Sequence, residues 1–338
     1  MIGKAGVQMG NDHQHRPVGP TLAAPVAALA MALASFMLLA MPGAAQAIVL
    51  PGVSTGAAQT VSYGSATLTG SIDPHGSNTS YYFQYGPTRA YGAQTAVADA
   101  GAGTITVRVA VPVSGLQPIT VYHFRLIAVN AAGAHAGNDR AFRTAKVPLS
   151  LAILASPNPT LFGGAVTIQG TLSGTGNGGV PVVLQANPFP FTQGFANTGN
   201  TQLTSATGGF SFPVLGLTQA TQFRVATSTK VPVISPVAIE GVAVRVDAHV
   251  GRAHRHRRHH VRIYGTVTPA VDGMEVAIMR ITGGRNVLVA GTTLHHRNAT
   301  SSRFSRVVRV RRHAIYRVLV RVTNGAQTSN YSQPLFIH

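Results

Sequence analysis

The densest chemistry in the chain is a nine-residue run, Arg252-Ala253-His254-Arg255-His256-Arg257-Arg258-His259-His260. A second basic stretch follows at Arg303-Phe304-Ser305-Arg306-Val307-Val308-Arg309-Val310-Arg311-Arg312. Guanidinium forks pair with phosphate and carboxylate, and a clustered patch steers anionic partners toward itself. The candidates for a polyanion contact are Arg252, Arg255, Arg257, Arg258, Arg309, Arg311, Arg317 and Arg321. On a strand, Arg309 and Arg311 would face one side while Val308 and Val310 face the core. Arg317 and Arg321 fall on what reads as an adjacent strand, also facing out. The expected partner is an extracellular polyanion or envelope component: wall polymer, acidic glycan, lipid head groups or free nucleic acid. Few aromatic residues accompany the run, so base stacking is not implied. The competing reading is a solvated charged loop with no ligand.

The same run raises metal capture. His254 and His256 stand two apart, His259 and His260 are adjacent, and His295-His296 is a second pair. Neutral imidazoles bind Zn, Cu or Ni. A zinc site normally shows defined spacing and a carboxylate partner; neither is present, and the interleaved arginines repel cations. No metal, other cofactor or specific small molecule is therefore expected. Protonation near pH 6 would raise the charge of the run as pH falls.

Two motif matches fail on context. Gly174-Thr175-Gly176-Asn177-Gly178-Gly179 fits G-x-G-x-x-G, but a strand, Val180 to Leu184, follows where a dinucleotide site needs a helix. It reads as a glycine hairpin loop. Gly52-Val53-Ser54-Thr55-Gly56 fits G-x-S-x-G, with no helical pattern after it. After Ala47 only seven side-chain carboxylates remain: Asp73, Asp99, Asp139, Glu240, Asp247, Asp272 and Glu275. None forms a paired or metal-type arrangement, and Asp73 and Asp139 read as turn residues. The chain has no cysteine, which excludes thiol chemistry. An enzyme is not expected.

The elements that must carry these residues are strands. Charged residues are 10% of the chain, against roughly 25% in ordinary soluble domains. Thr104 to Val113 alternates apolar and polar residues. So does Val121 to Leu126, with Tyr122, Phe124 and Leu126 on one side and Val121, His123 and Arg125 on the other. Strands recur about every ten residues with Gly, Pro and Asn between them, the spacing of a sandwich. Residues 1–47 read as an export signal: an apolar core from Thr21 to Met41, a break at Pro42-Gly43, and Ala45-Gln46-Ala47 for cleavage. The run is also long enough for an uncleaved anchor, the one way a membrane would enter.

From Ala66 to Thr144 the chain carries A-x-L-x-G-x-x-x-P, then Y-x-F-x-Y-G, then G-L-x-P-x-T-x-Y-x-x-R-x-x-A-x-N-x-x-G, then F-x-T. The carriers include Leu68, Gly70, Pro74, Phe83, Tyr85, Gly86, Leu116, Pro118, Tyr122, Arg125, Asn130, Gly133 and Phe142. This pattern resembles bacterial extracellular fibronectin type III-like domains. The resemblance implies a tyrosine corner, the Tyr122 hydroxyl bonding back to the backbone near Leu116. The chain departs from it in having no Trp and no Arg-Gly-Asp triplet.

Further on, five blocks repeat in order at an offset of 93 to 97 residues. They run from Val166–Leu172 with Val261–Val267 to Ser235-Pro236 with Ser332-Gln333-Pro334. Among them, Phe210-Ser211 answers Phe304-Ser305, and Phe223-Arg224-Val225 answers Tyr316-Arg317-Val318. This is a duplicated folding unit, and each copy resembles bacterial immunoglobulin-like domains. The expected fold is all-β, three tandem antiparallel β-sandwich modules over 48–146, 147–242 and 243–338, joined by short linkers. From Ala248 to His338 there are 15 Arg, no Lys and two acids, so about +13 of the net +18 sits in the last module. The functional expectation is a non-catalytic secreted or cell-envelope scaffold or binding protein, with the third module as contact surface. The alternatives are a spacer without ligand and accessory modules of a surface enzyme.

Overall fold

The computed structural model describes residues 47–253 and 259–337, and every regular element among them is a strand. The expected export segment 1–47 lies outside the described residues except for Ala47. No described helix is long and apolar enough to cross a membrane.

Strand pairing falls into three groups, each with two antiparallel sheets around its own apolar cluster. In the first group, Gly52–Thr55, Ser65–Asp73 and Val107–Ser114 form one sheet. Thr79–Gly86 and Val121–Asn130 form the centre of the other. Leu68, Ile72, Phe83, Phe124 and Leu126 fill the space between them and are fully buried. Val121, His123 and Arg125 alternate with the buried side chains and are exposed or half-buried. The second group pairs Ser150–Ser156, Gly164–Ser173 and Gly209–Leu217 in one sheet, and Ala196–Leu203, Pro181–Pro188, Thr221–Thr227 and Ala238–Glu240 in the other. In the third, Arg245–Arg252, His260–Thr268, Ser301–Arg309 and His295–Asn298 make one sheet. Arg285–Thr293, Glu275–Thr282, Ala314–Arg321 and Asn330–Tyr331 make the other, with Leu335–Ile337 also on Ala314–Arg321.

The groups therefore share one strand order, and the third adds the short His295–Asn298 strand. Three glycines mark the shared geometry. Gly70, Gly170 and Gly265 occupy the same place on the second strand of each group. At each, an added Cβ would stand inside 3.0 Å of a first-strand carbonyl oxygen (Ser54, Ala152 or Asp247) and of a core side chain (Leu126, Phe210 or Phe304). Such closeness leaves room only for glycine.

Two details differ from the sequence reading. Gly174 to Gly179 is not a hairpin loop, because the strands it joins belong to facing sheets. Gly52–Thr55, where no helix was expected, is a strand paired with Ser65–Asp73. The expected linker at 242/243 is itself a strand. Val242–Ala243 pairs in parallel with Thr160–Leu161, and Thr328 donates its amide to the Val242 carbonyl at 2.7 Å. Ala220 N–H to Ala326 O (2.7 Å) and Arg245 Nε to Phe162 O (2.7 Å) further tie the second group to the third.

Glu240 is buried beside this junction. Its Oε1 accepts the Thr160 amide at 2.8 Å, while Oε2 has no hydrogen-bond partner among the described residues. Burial raises its carboxyl above the usual range, and the Thr160 amide only partly offsets that. A folded value above the unfolded one costs nothing in acid, where both states are protonated. The cost grows as pH rises from the unfolded value, about 4.3, through the folded one. Urea unfolding across pH should show stability declining over that window, and Glu240→Gln should flatten the decline. An unchanged decline in the variant would place the titration elsewhere.

Candidate functional site

Strand direction gives the third group two chemically different ends. Arg245–Arg252 and Glu275–Thr282 run from the end joined to the second group toward the far end; Ala314–Arg321 runs back. At the junction end the acids are engaged. Glu275 pairs with Arg321 at 3.1 Å. Asp272 accepts from the Ser302 hydroxyl and from His296 Nδ1 at 3.1 Å. The Ser302 hydrogen bond, then His296, hold the Asp272 carboxyl below its ordinary range. Asp247, two residues into its strand, pairs with His249 at 3.2 Å. These are the only three side-chain acids from residue 245 onward.

The far end carries arginines. His259, Arg280, Arg309, Val310, Arg311 and Arg312 line an open cleft of about 700 Å³. Arg252 ends its strand at the same end, opposite Val261, and is exposed. Two bonds shape the cleft. Tyr316 is buried, and its hydroxyl accepts the Arg311 amide at 2.9 Å; Val310 donates its amide to the His259 carbonyl at 2.8 Å. The turn 310–313 is thus anchored to the core and to the neighbouring connection. His259 (φ 60°) and His313 (φ 54°) take left-handed backbone, where histidine is enriched among non-glycine residues. These two histidines serve turn geometry. Among the described residues no three His, Asp or Glu side chains gather as a metal site would require.

The sequence candidates separate accordingly. Arg252, Arg309 and Arg311 share the far end, with Arg311 in the turn and not on the strand. Arg255, Arg257, Arg258, His254 and His256 lie outside the described residues. Arg317 and Arg321 are corrected. Their strand belongs to the facing sheet and is not a neighbour of Ser301–Arg309. Arg317 is half-buried over the Tyr331 ring at 4.5 Å, and Arg321 sits at the junction end with Glu275. Arg280 and Arg312 line the cleft but were absent from the sequence candidates; Arg280 comes from a strand distant in sequence, and only the pairing brings it there.

The outer face of the four-stranded sheet holds a shallower depression of about 410 Å³, lined by Asp247, His249, Arg262, Tyr264, Arg297, Arg303 and Ser305 among others. Arg262 lies over the Tyr264 ring at 4.6 Å, and His249 packs on it at 5.7 Å.

Two polar clusters could suggest catalysis. Ser302, Asp272 and His296 are contiguous in the wrong order: the serine proton goes to Asp272 and its oxygen accepts the Val271 amide at 2.8 Å. Among the described residues no histidine stands on the serine as base. In the first group Asp139 is a hub, correcting its reading as a turn residue. It accepts from His123 Nδ1 (2.8 Å) and Tyr91 (3.1 Å), with Arg89 at 3.3 Å. Burial pushes its carboxyl up, but the bonds from His123 and Tyr91 outweigh this and hold it below the usual range. The cluster ties the 89–91 loop to strand Val121–Asn130. The expected tyrosine corner is present: Gln117 N–H donates to the Tyr122 hydroxyl at 3.0 Å. Tyr316 is its third-group counterpart, and Phe223 leaves the second group without one.

No family model and no curated protein matches the chain. Among solved structures, titin domains A168-A170 align at 16% identity and TM-score 0.35, over 85% of this chain and 98% of that one. The chicken CNTN1 FN1-FN3 domains align at 15% and 0.27, over 85% and 99%. A marsupial T cell receptor aligns at 12% and 0.27, over 86% and 99%. At these scores the likeness carries nothing about function, and the sandwich assignment stands on strand pairing.

Tyr316→Phe keeps the ring and removes the acceptor for the Arg311 amide. It should cost about 1–2 kcal/mol in urea unfolding. A variant as stable as the parent would mean that the turn is held by other contacts.

Proposed function

We propose that this chain is a non-catalytic scaffold and binding protein that works outside the cytoplasm, secreted or in the cell envelope, and that the far end of its third sandwich contacts a polyanion. One observation carries the binding reading. Arg280, Arg309, Arg311 and Arg312 line one cleft, while the three acids of the module are engaged elsewhere. Guanidinium groups with no side-chain acid beside them among the described residues, two of them on a fixed turn, are suited to carboxylate, sulfate or phosphate. The export reading rests on residues 1–47 alone. The finer reading of the modules, fibronectin type III-like first and immunoglobulin-like after, rests on the sequence motifs; the common strand order favours one module type for all three.

A second reading, a spacer without ligand, draws on the hydrogen-bonded junction at Val242–Ala243, which suits a protein that holds modules at a fixed distance.

Binding of the full chain to immobilised heparin at low salt separates the two. Arg309, Arg311 and Arg312→Ala together should weaken it by about tenfold or more, equivalent to one charge-assisted contact of about 1.5 kcal/mol. No binding by the parent supports the spacer. Equal binding by parent and variant removes the cleft from the account.

A further inference from the structure

The basic end continues down one face of the module. Arg309 lines the cleft and also sits on the outer side of the four-stranded sheet. Its cross-strand partner is His260. Two residues along the strand, Val307 stands opposite Arg262; two further, Ser305 stands opposite Tyr264; two further, Arg303 stands opposite Thr266 and, on its other side, His295. These positions share a face because strand side chains alternate. Arg303 is six residues from Arg309, roughly 20 Å along the strand. Arg297 and Arg303 line the depression together with Arg262. The cleft and the depression are therefore two stations on one basic stripe.

Resting on the polyanion reading above, we infer that the occupant is an extended acidic polysaccharide that lies along this stripe from the 310–313 turn to Arg303. A single small anion would use the cleft alone. Beside its arginines the stripe carries the hydroxyls of Ser305, Tyr264 and Thr266, which suits a chain bearing both acidic groups and sugar hydroxyls. Nucleic acid fits less well. The one Phe, Tyr or Trp ring on the stripe, Tyr264, is already engaged by Arg262 and His249, so the stripe lacks the row of open aromatic faces on which successive bases stack. Asp247 is the one carboxylate on this face, and it is held by His249 at 3.2 Å.

The probes are heparin-derived oligosaccharides and oligogalacturonides, each in a short form that fits the cleft and a long form that reaches Arg303. The first series carries sulfate and carboxylate, the second carboxylate alone, so the pair separates the two acidic chemistries. For the full chain, the long form of at least one series should bind on the order of tenfold tighter than its short form. Arg297→Ala with Arg303→Ala should abolish that gain and leave the short form's affinity unchanged, which also shows that the variant is folded. A gain that survives the double substitution, or equal affinity for short and long forms, overturns the stripe. An equal gain for single-stranded DNA of matched charge overturns the choice of polysaccharide. If neither short nor long forms bind, the polyanion reading fails, and this inference with it.

Discussion

Alternation of side chains across the strands of the third sandwich turns a basic sequence into a basic surface. Ile263, Val267, Phe304 and Val308 point inward and are buried against Val276, Ile278, Tyr316 and Val318 of the facing sheet. Every second position is thereby forced outward. The chain has no cysteine, so this core must by itself hold the fold against the mutual repulsion of the arginines it displays. Tyr316 belongs to both sides of that balance. Its ring is part of the core, and its hydroxyl fixes the turn on which Arg311 and Arg312 stand.

The two ends of the module divide the work. The junction end spends its carboxylates and backbone groups on internal contacts: Asp272 with Ser302 and His296, Glu275 with Arg321, and Thr328 with Val242. The far end is left with guanidinium groups and, among the described residues, no side-chain acid beside them. The same contacts explain why the serine-histidine-aspartate trio is structural. Ser302 already donates to Asp272, accepts from Val271 and is fully buried, and no described histidine stands on its oxygen.

Much of the fold was legible in the sequence, because period-two alternation reports which face a residue takes. Tyr122, Phe124 and Leu126 were readable as one buried side, and Val308 and Val310 as core-facing neighbours of Arg309. Alternation does not report which sheet a strand joins. Arg317 and Arg321 were therefore grouped with Arg309, although non-local pairing puts them on the facing sheet. Arg262, Arg280 and Arg297 went unnoticed, and Arg303, part of the second basic stretch, was not made a candidate, for the same reason: they come from separate strands and converge only through register. Tyr316 was visible as a repeat of Phe223, but the hydroxyl that distinguishes it matters only once the Arg311 amide is placed beneath it. The position of Asp139 before Arg140 suggested a turn, and its partners His123 and Tyr91 lie far off in sequence.

The central claim is that the cleft at the far end of the third sandwich, and not the Glu275–Arg321 edge at its junction end, is where the polyanion seats. Amide hydrogen exchange of the full chain with and without a short heparin oligosaccharide, one that fits the cleft alone, tests it most directly. The account predicts slowed exchange in the 310–313 turn and at 259–262, with no change around Glu275 and Arg321. Protection at the junction end, or evenly over all three sandwiches, would contradict it.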